Sequence, residues 1–190
     1  MQINILYKTI LLSYFFLNHF LHCQSISRRF IVSHTYEPLP ENVKLQSAQE
    51  LQKVLHCAID LNMQIKESHW SMYGREFLSV HRLFDEVAET VEDTTDDIAE
   101  RIAQLGRKPE GTLQTVASKS ILPTYPASLS SIDEHIEVIG QRLAFVTSLA
   151  LQAIADMGNN DPVSVDLLTA RTRELDKLTW LVESHLPRKK

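Results

Sequence analysis

HWSMYGREFLSVHRLFDEVAETVEDTTDDIAE, residues 69–100, carries five metal-type ligands at helical spacing: His69, His81, Asp85, Asp96 and Glu100. His81 and Asp85 are four residues apart, and so are Asp96 and Glu100. Residues four apart lie one above the other on one face of a helix. From Asp85 to Asp96 is eleven residues. Eleven steps of roughly 100° return to nearly the same face, about 16 Å further along the axis. Metal–ligand bonds are only about 2.0–2.6 Å long, so one helix cannot close both pairs on one ion. Two antiparallel copies of the helix, related by a two-fold axis near its midpoint, would set His81 and Asp85 of one chain against Asp96 and Glu100 of the other. The spacing therefore predicts a symmetric dimer with two identical inter-subunit sites.

The flanking sequence predicts an all-α fold. Of 190 residues, 44% are hydrophobic, 23% are charged and only five are glycine. That composition suits one soluble domain with a sizeable core. From Ser47 the pattern turns helical, with Leu51, Val54, Leu55, Ala58, Ile59, Leu61, Ile65 and Trp70 as an apolar stripe. Ser47 with Glu50 reads as a capping box opening the first helix. A second helix from about Leu78 carries Val80, Phe84, Val87, Val91, Ile98 and Ile102, and ends at Gly106 before Pro109. Residues 107–128 hold three prolines and Gly111, a connection long enough to cross between distant elements, with one short helix near Leu113–Ser118. A third helix is expected over about Ser131–Asp156 and a fourth over Val163–His185, with Trp180 as a core residue. Four long helices with a long crossover between the second and third match the ferritin-like bundle.

The ends are less regular. Residues 1–31 are apolar and aromatic, closed by Arg28 and Arg29. Three readings stand open: a targeting segment, an accessory extension, or an artefact of start-site choice with Val32 as the natural start. Residues 32–46, with Pro38 and Pro40, read as an extended arm. The domain is expected over 47–186, followed by a short basic tail at 187–190. Cys23 and Cys57 form no CxxC motif and fit a reducing cytosol; Cys57, in an apolar run, reads as an inert core residue.

His69-Trp70 through Gly74 and Phe77, then His81, Phe84-Asp85, and Asp96 with Glu100-Arg101 form HWxxxGxxFxxxHxxFD followed by DxxxER. This pattern resembles the Dps family of miniferritins, over about residues 36–186. The resemblance implies a ferroxidase site of His69, His81 and Asp85 from one subunit and Asp96 and Glu100 from its two-fold partner. It implies a hollow shell of twelve subunits, with iron(II) oxidised by hydrogen peroxide and stored inside as ferric mineral. Trp70, beside His69, becomes a candidate electron donor. Imidazole and carboxylate suit iron(II), and hard carboxylate oxygens favour the iron(III) product. Iron entry in the family runs through acidic pores near the start of the last helix, where Asp156, Asp161 and Asp166 lie. Pro162 stands where many relatives carry aspartate, so Asp161 reads either as pore lining or as the helix cap before Pro162. The resemblance also implies a cytoplasmic, nucleoid-associated setting.

DNA is the alternative partner. Net charge is −5, and phosphate attraction dominates DNA affinity. The arm has a single lysine, Lys44, and only Arg188, Lys189 and Lys190 close the chain. A nucleoid-compacting protein with secondary metal binding is thus the less favoured reading. A ferritin with its di-iron site inside one bundle expects Glu-x-x-His motifs, and none occurs.

Overall fold

A computed structural model of the chain describes residues 37–129 and 131–187, all within the unit Val32–Lys190. The readings of residues 1–31, of the arm before Glu37 and of the basic end 188–190 lie outside the described residues. Five α-helices follow in order: α1 (Glu41–Ser71), α2 (Phe77–Gln104), the short α3 (Leu113–Lys119), α4 (Ile132–Met157) and α5 (Pro162–Glu183), with a 3-10 turn at Gly158–Asn160. The described residues contain no strand. α1 packs on α2 and α4 on α5, while α1–α4 and α2–α5 contacts close the square. Residues 105–129 lead away from the first hairpin toward the second and lay α3 against α1. This is the ferritin-like bundle with its crossover between the second and third long helices.

Each long helix turns an apolar stripe inward. Phe84, Val87, Ile98 and Ile102 of α2 are almost fully buried, as are Leu51, Leu55, Leu61 and Ile65 of α1. Full burial of such a side chain stabilises by roughly 1.5–3 kcal/mol, so the stripes supply the bulk of the driving force. α2 ends in a Schellman motif. Gly106, at φ 75°, donates its N–H to the Ala103 carbonyl, and Arg107 donates to that of Ile102. Ser131 caps α4 in a capping box with Glu134, each accepting a bond from the other's backbone N–H.

Three expectations need correction. The first helix begins at Glu41, not Ser47, so the extended arm stops at Pro40. Nothing in 41–46 breaks a helix, and Glu41 complements the positive end of the helix dipole while pairing with Lys44 and Arg107. Ser47 is therefore no cap but a buried residue inside α1. Trp180 is 64% exposed and Trp70 65%. Both sit off the buried phase of their helices, Trp70 one position after buried His69 in α1 and Trp180 midway between Leu178 and Val182 in α5.

Candidate metal centre

The turn between α1 and α2 builds the site. Residues 72–76 reverse the chain, with Gly74 at φ 145°, a value that suits glycine. A Cβ there would also meet Ile132 Cδ1 at 3.1 Å. The reversal sets His69, near the end of α1, against His81, in the second turn of α2. Their rings stack at 3.6 Å with 19° between planes, and Phe77 packs on His81 at 4.7 Å.

The two histidines hold each other reciprocally. His69 Nδ1 lies 3.1 Å from the His81 carbonyl, and His81 Nδ1 lies 3.1 Å from the His69 carbonyl. The His69 carbonyl is among the last four of α1, which lack a partner within the helix. A neutral ring that donates from Nδ1 keeps its lone pair on Nε2. Backbone carbonyls of this kind fix the tautomer and orientation of metal-binding histidines.

Asp85, one turn after His81, completes the cluster. One ligand atom from each of His69, His81 and Asp85 lies within 4.8 Å of the others. His69 is buried, His81 half-buried, and the Asp85 side chain is 53% exposed. The cluster thus opens outward through its carboxylate. Lys66 Nζ donates to Asp85 Oδ1 at 3.0 Å, and His69 Nδ1 is 3.6 Å from the same oxygen. The Lys66 hydrogen bond holds the Asp85 carboxyl below its usual range; slight burial opposes it and the Lys66 charge assists.

Asp96 and Glu100 do not join this cluster. They lie further along α2 and are exposed. Within one protomer the structure brings together three of the five expected ligands and leaves the other two on the outer face of the same helix. Trp70, Tyr73, Phe77 and Leu78 are exposed around the α1–α2 turn. Clustered exposed apolar side chains usually mark an interface.

Among the expected pore residues, Asp156 and Asp166 are exposed. Asp161 is not available to line a pore, because it is fully buried. Its Oδ1 accepts from the Ser164 N–H at 3.1 Å, capping α5, and from Arg101 at 3.0 Å. Its Oδ2 accepts from the Ser164 hydroxyl at 2.6 Å. Capping is the outcome of the two readings left open by the sequence.

Lys66 was absent from the expected ligand sphere, although its position three residues before His69 places it on the same helical face. It makes a test of the site. A metal taking Asp85 must displace the ammonium, and a solvent-exposed pair of this kind is worth ~0.2–1 kcal/mol. Lys66→Ala is expected to tighten Co(II) binding by up to about fivefold, read by calorimetric titration. Weaker binding would show that the ammonium supports the site instead.

The chain matches the family model described as a ferritin-like domain over residues 48–189. It is 35% identical over 156 residues to the DNA protection during starvation protein of Agrobacterium fabrum, covering 82% of this chain and 96% of that one. It is 31% identical over 156 residues to the protein of the same name from Mycolicibacterium smegmatis, covering 82% and 85%. The solved tetragonal form of Mycobacterium smegmatis Dps superposes with a TM-score of 0.78 at 31% identity, covering 82% of this chain and 96% of that one.

Proposed function

Because the chain belongs to the Dps family of ferritin-like proteins, we propose that it oxidises iron(II) with hydrogen peroxide at a site shared between two subunits. The ferric product is stored in a hollow shell of twelve copies in the cytoplasm. Iron storage and DNA protection are the general roles of this family. The observation that carries the reading is the convergence of His69, His81 and Asp85, with two mutually clamped imidazoles and an outward-facing carboxylate.

Iron(II) is the substrate. The imidazole lone pairs and the Asp85 carboxylate take it from one subunit, and Asp96 and Glu100 of a two-fold copy supply oxygen ligands that favour iron(III). Two iron(II) ions give one electron each to one peroxide, the O–O bond breaks, and both oxygens leave as hydroxide. Trp70, next to His69 and exposed in the protomer, is placed to donate an electron or to pack against the partner. The apolar side chains around the α1–α2 turn supply the surface such a partner would cover. Asp156 and Asp166 remain the candidates for guiding iron inward near the start of α5.

The alternative, a nucleoid DNA-compacting protein, has less support from a chain of net charge −5. The decisive experiment loads the full chain anaerobically with iron(II), adds one peroxide per two irons, and follows ferric absorbance together with particle mass. Fast oxidation within an assembly of about twelve subunits is expected. An intact shell that oxidises iron no faster than buffer would sink the reading.

A further inference from the structure

Tyr125, in the crossover, and His135, in the first turn of α4, meet over a short hydrogen bond. The phenolic oxygen lies 2.5 Å from His135 Nδ1, with ring centroids 6.2 Å apart. His135 is 1% exposed, and its other nitrogen, Nε2, has no partner among the described residues. A buried, unpaired ring nitrogen destabilises the fold because it gives up its hydrogen bonds to water without replacement. A purely structural tie between crossover and helix would be cheaper with an apolar side chain at 135. An unsatisfied buried polar group in a native fold calls for a specific reason, redox chemistry among them.

We propose that Tyr125 and His135 form a redox-active pair that supplies the second electron when a single iron(II) meets peroxide. The proposal rests on the ferroxidase reading above. One iron(II) gives one electron to peroxide, breaking its O–O bond into hydroxide and a hydroxyl radical. Tyr125 gives the radical an electron, turning it into a second hydroxide. In the same step the phenolic proton passes along the existing hydrogen bond to His135 Nδ1. The products are a neutral tyrosyl radical and an imidazolium. A second iron(II) then reduces the tyrosyl, becoming iron(III), and the proton returns. The sum is two iron(II) and one peroxide giving two iron(III) and two hydroxides, with no radical released.

The surroundings suit each stage. Before oxidation, burial pushes the Tyr125 phenol up and the His135 imidazolium down, so the pair rests neutral with the proton on oxygen. After proton transfer, the carboxylates of Glu134 and Glu67 favour the imidazolium. The Ser68 hydroxyl stands beside Tyr125, and Ser68 immediately precedes His69. Consecutive Cα atoms are ~3.8 Å apart, which puts the phenol on the order of 10 Å from the His69 backbone. That is a short path for one electron.

The test adds peroxide to anaerobic protein holding one iron(II) per site, freezes it rapidly and records EPR spectra, with a nitrone spin trap in a parallel sample. Wild type and Trp70→Phe are expected to show a neutral tyrosyl radical. Tyr125→Phe, which keeps the ring, should lose that signal and release more trapped hydroxyl radical. His135→Gln can still accept a hydrogen bond but is no base, and should lose most of the radical yield. Equal spin-adduct yields in wild type and Tyr125→Phe, with iron oxidation intact, would overturn the proposal. A second arm generates tyrosyl with a photochemical one-electron oxidant and no iron. If iron oxidation itself fails, this arm decides the pair separately. A signal lost in Tyr125→Phe and shortened in His135→Gln supports it, and identical signals in all three proteins overturn it.

Discussion

Mixing two inactive variants should restore iron oxidation. His81→Ala with Asp85→Ala removes two of the three ligands that converge in one protomer, and each alone-assembled shell should oxidise iron no faster than buffer. Asp96→Ala with Glu100→Ala should be equally inactive if a partner's carboxylates complete the site. In a mixed dimer the two sites differ. One combines both lesions, while the other takes intact His81 and Asp85 from one chain and intact Asp96 and Glu100 from the other. Dissociation and reassembly of an equal mixture should therefore recover about a quarter of the wild-type sites, since half the dimers are mixed and each has one intact site. Recovery of no activity, from a mixture shown by mass to contain mixed dimers, would place all the ligands in one chain. If the chain instead compacts DNA, compaction by either variant would be unaffected, which separates the two readings.

Replacing Asp161 should cost more stability than any surface carboxylate. Its side chain is fully buried and ion-paired to Arg101, which is itself buried and also reaches Glu37 and the Ser164 hydroxyl. Asp161→Asn preserves a helix-capping oxygen yet leaves the guanidinium with Glu37 as its one remaining counter-charge, a loss of up to about 3 kcal/mol. Asp161→Ala should lose about 1 kcal/mol more, because the α5 cap goes with the charge. Arg101→Met combined with Asp161→Asn should recover part of the loss. The pH dependence has a definite sign. Burial pushes the Asp161 carboxyl up, but the Ser164 hydroxyl and N–H, with Arg101, together hold it below its ordinary value. A depressed pKa gives stability that is present above the ordinary carboxylate range and lost as pH falls through the folded value. Asp161→Asn should therefore flatten the acid limb of the stability profile. Denaturant midpoints at fixed protomer concentration check both statements, and an unchanged midpoint for Asp161→Asn would contradict the clamp.

Much of the fold was legible because helical periodicity is a local signal. The buried set of α2, from Val80 through Phe84 and Val87 to Ile102, follows from spacing alone. Gly106 announced the end of α2 through its backbone freedom. Ser47 and Glu50 imitate a capping box, yet α1 starts at Glu41 and Ser47 lies against Asp161, far along the chain. Tryptophan is apolar enough to suggest a core position, yet Trp180 is exposed. Only the helix phase, fixed by Leu175, Leu178 and Val182, turns it outward.

The candidate site divides along the same line. Residue spacing stacks His81 with Asp85 and Asp96 with Glu100, since a helix is a rigid ruler of about 1.5 Å per residue, and within one protomer the second pair stays apart from the first. The bundle and the pairing of His81 with Asp85 are thus legible in local spacing, whereas a two-fold partner supplying Asp96 and Glu100 belongs to the proposed function. Tertiary structure alone decided the rest. It set His69 against His81 across the turn, laid Lys66 on Asp85, buried Asp161 under Arg101, and joined Tyr125 to His135. These contacts depend on how separate helices pack, and packing is fixed by the shape and charge of side chains distant in sequence, which no local pattern records.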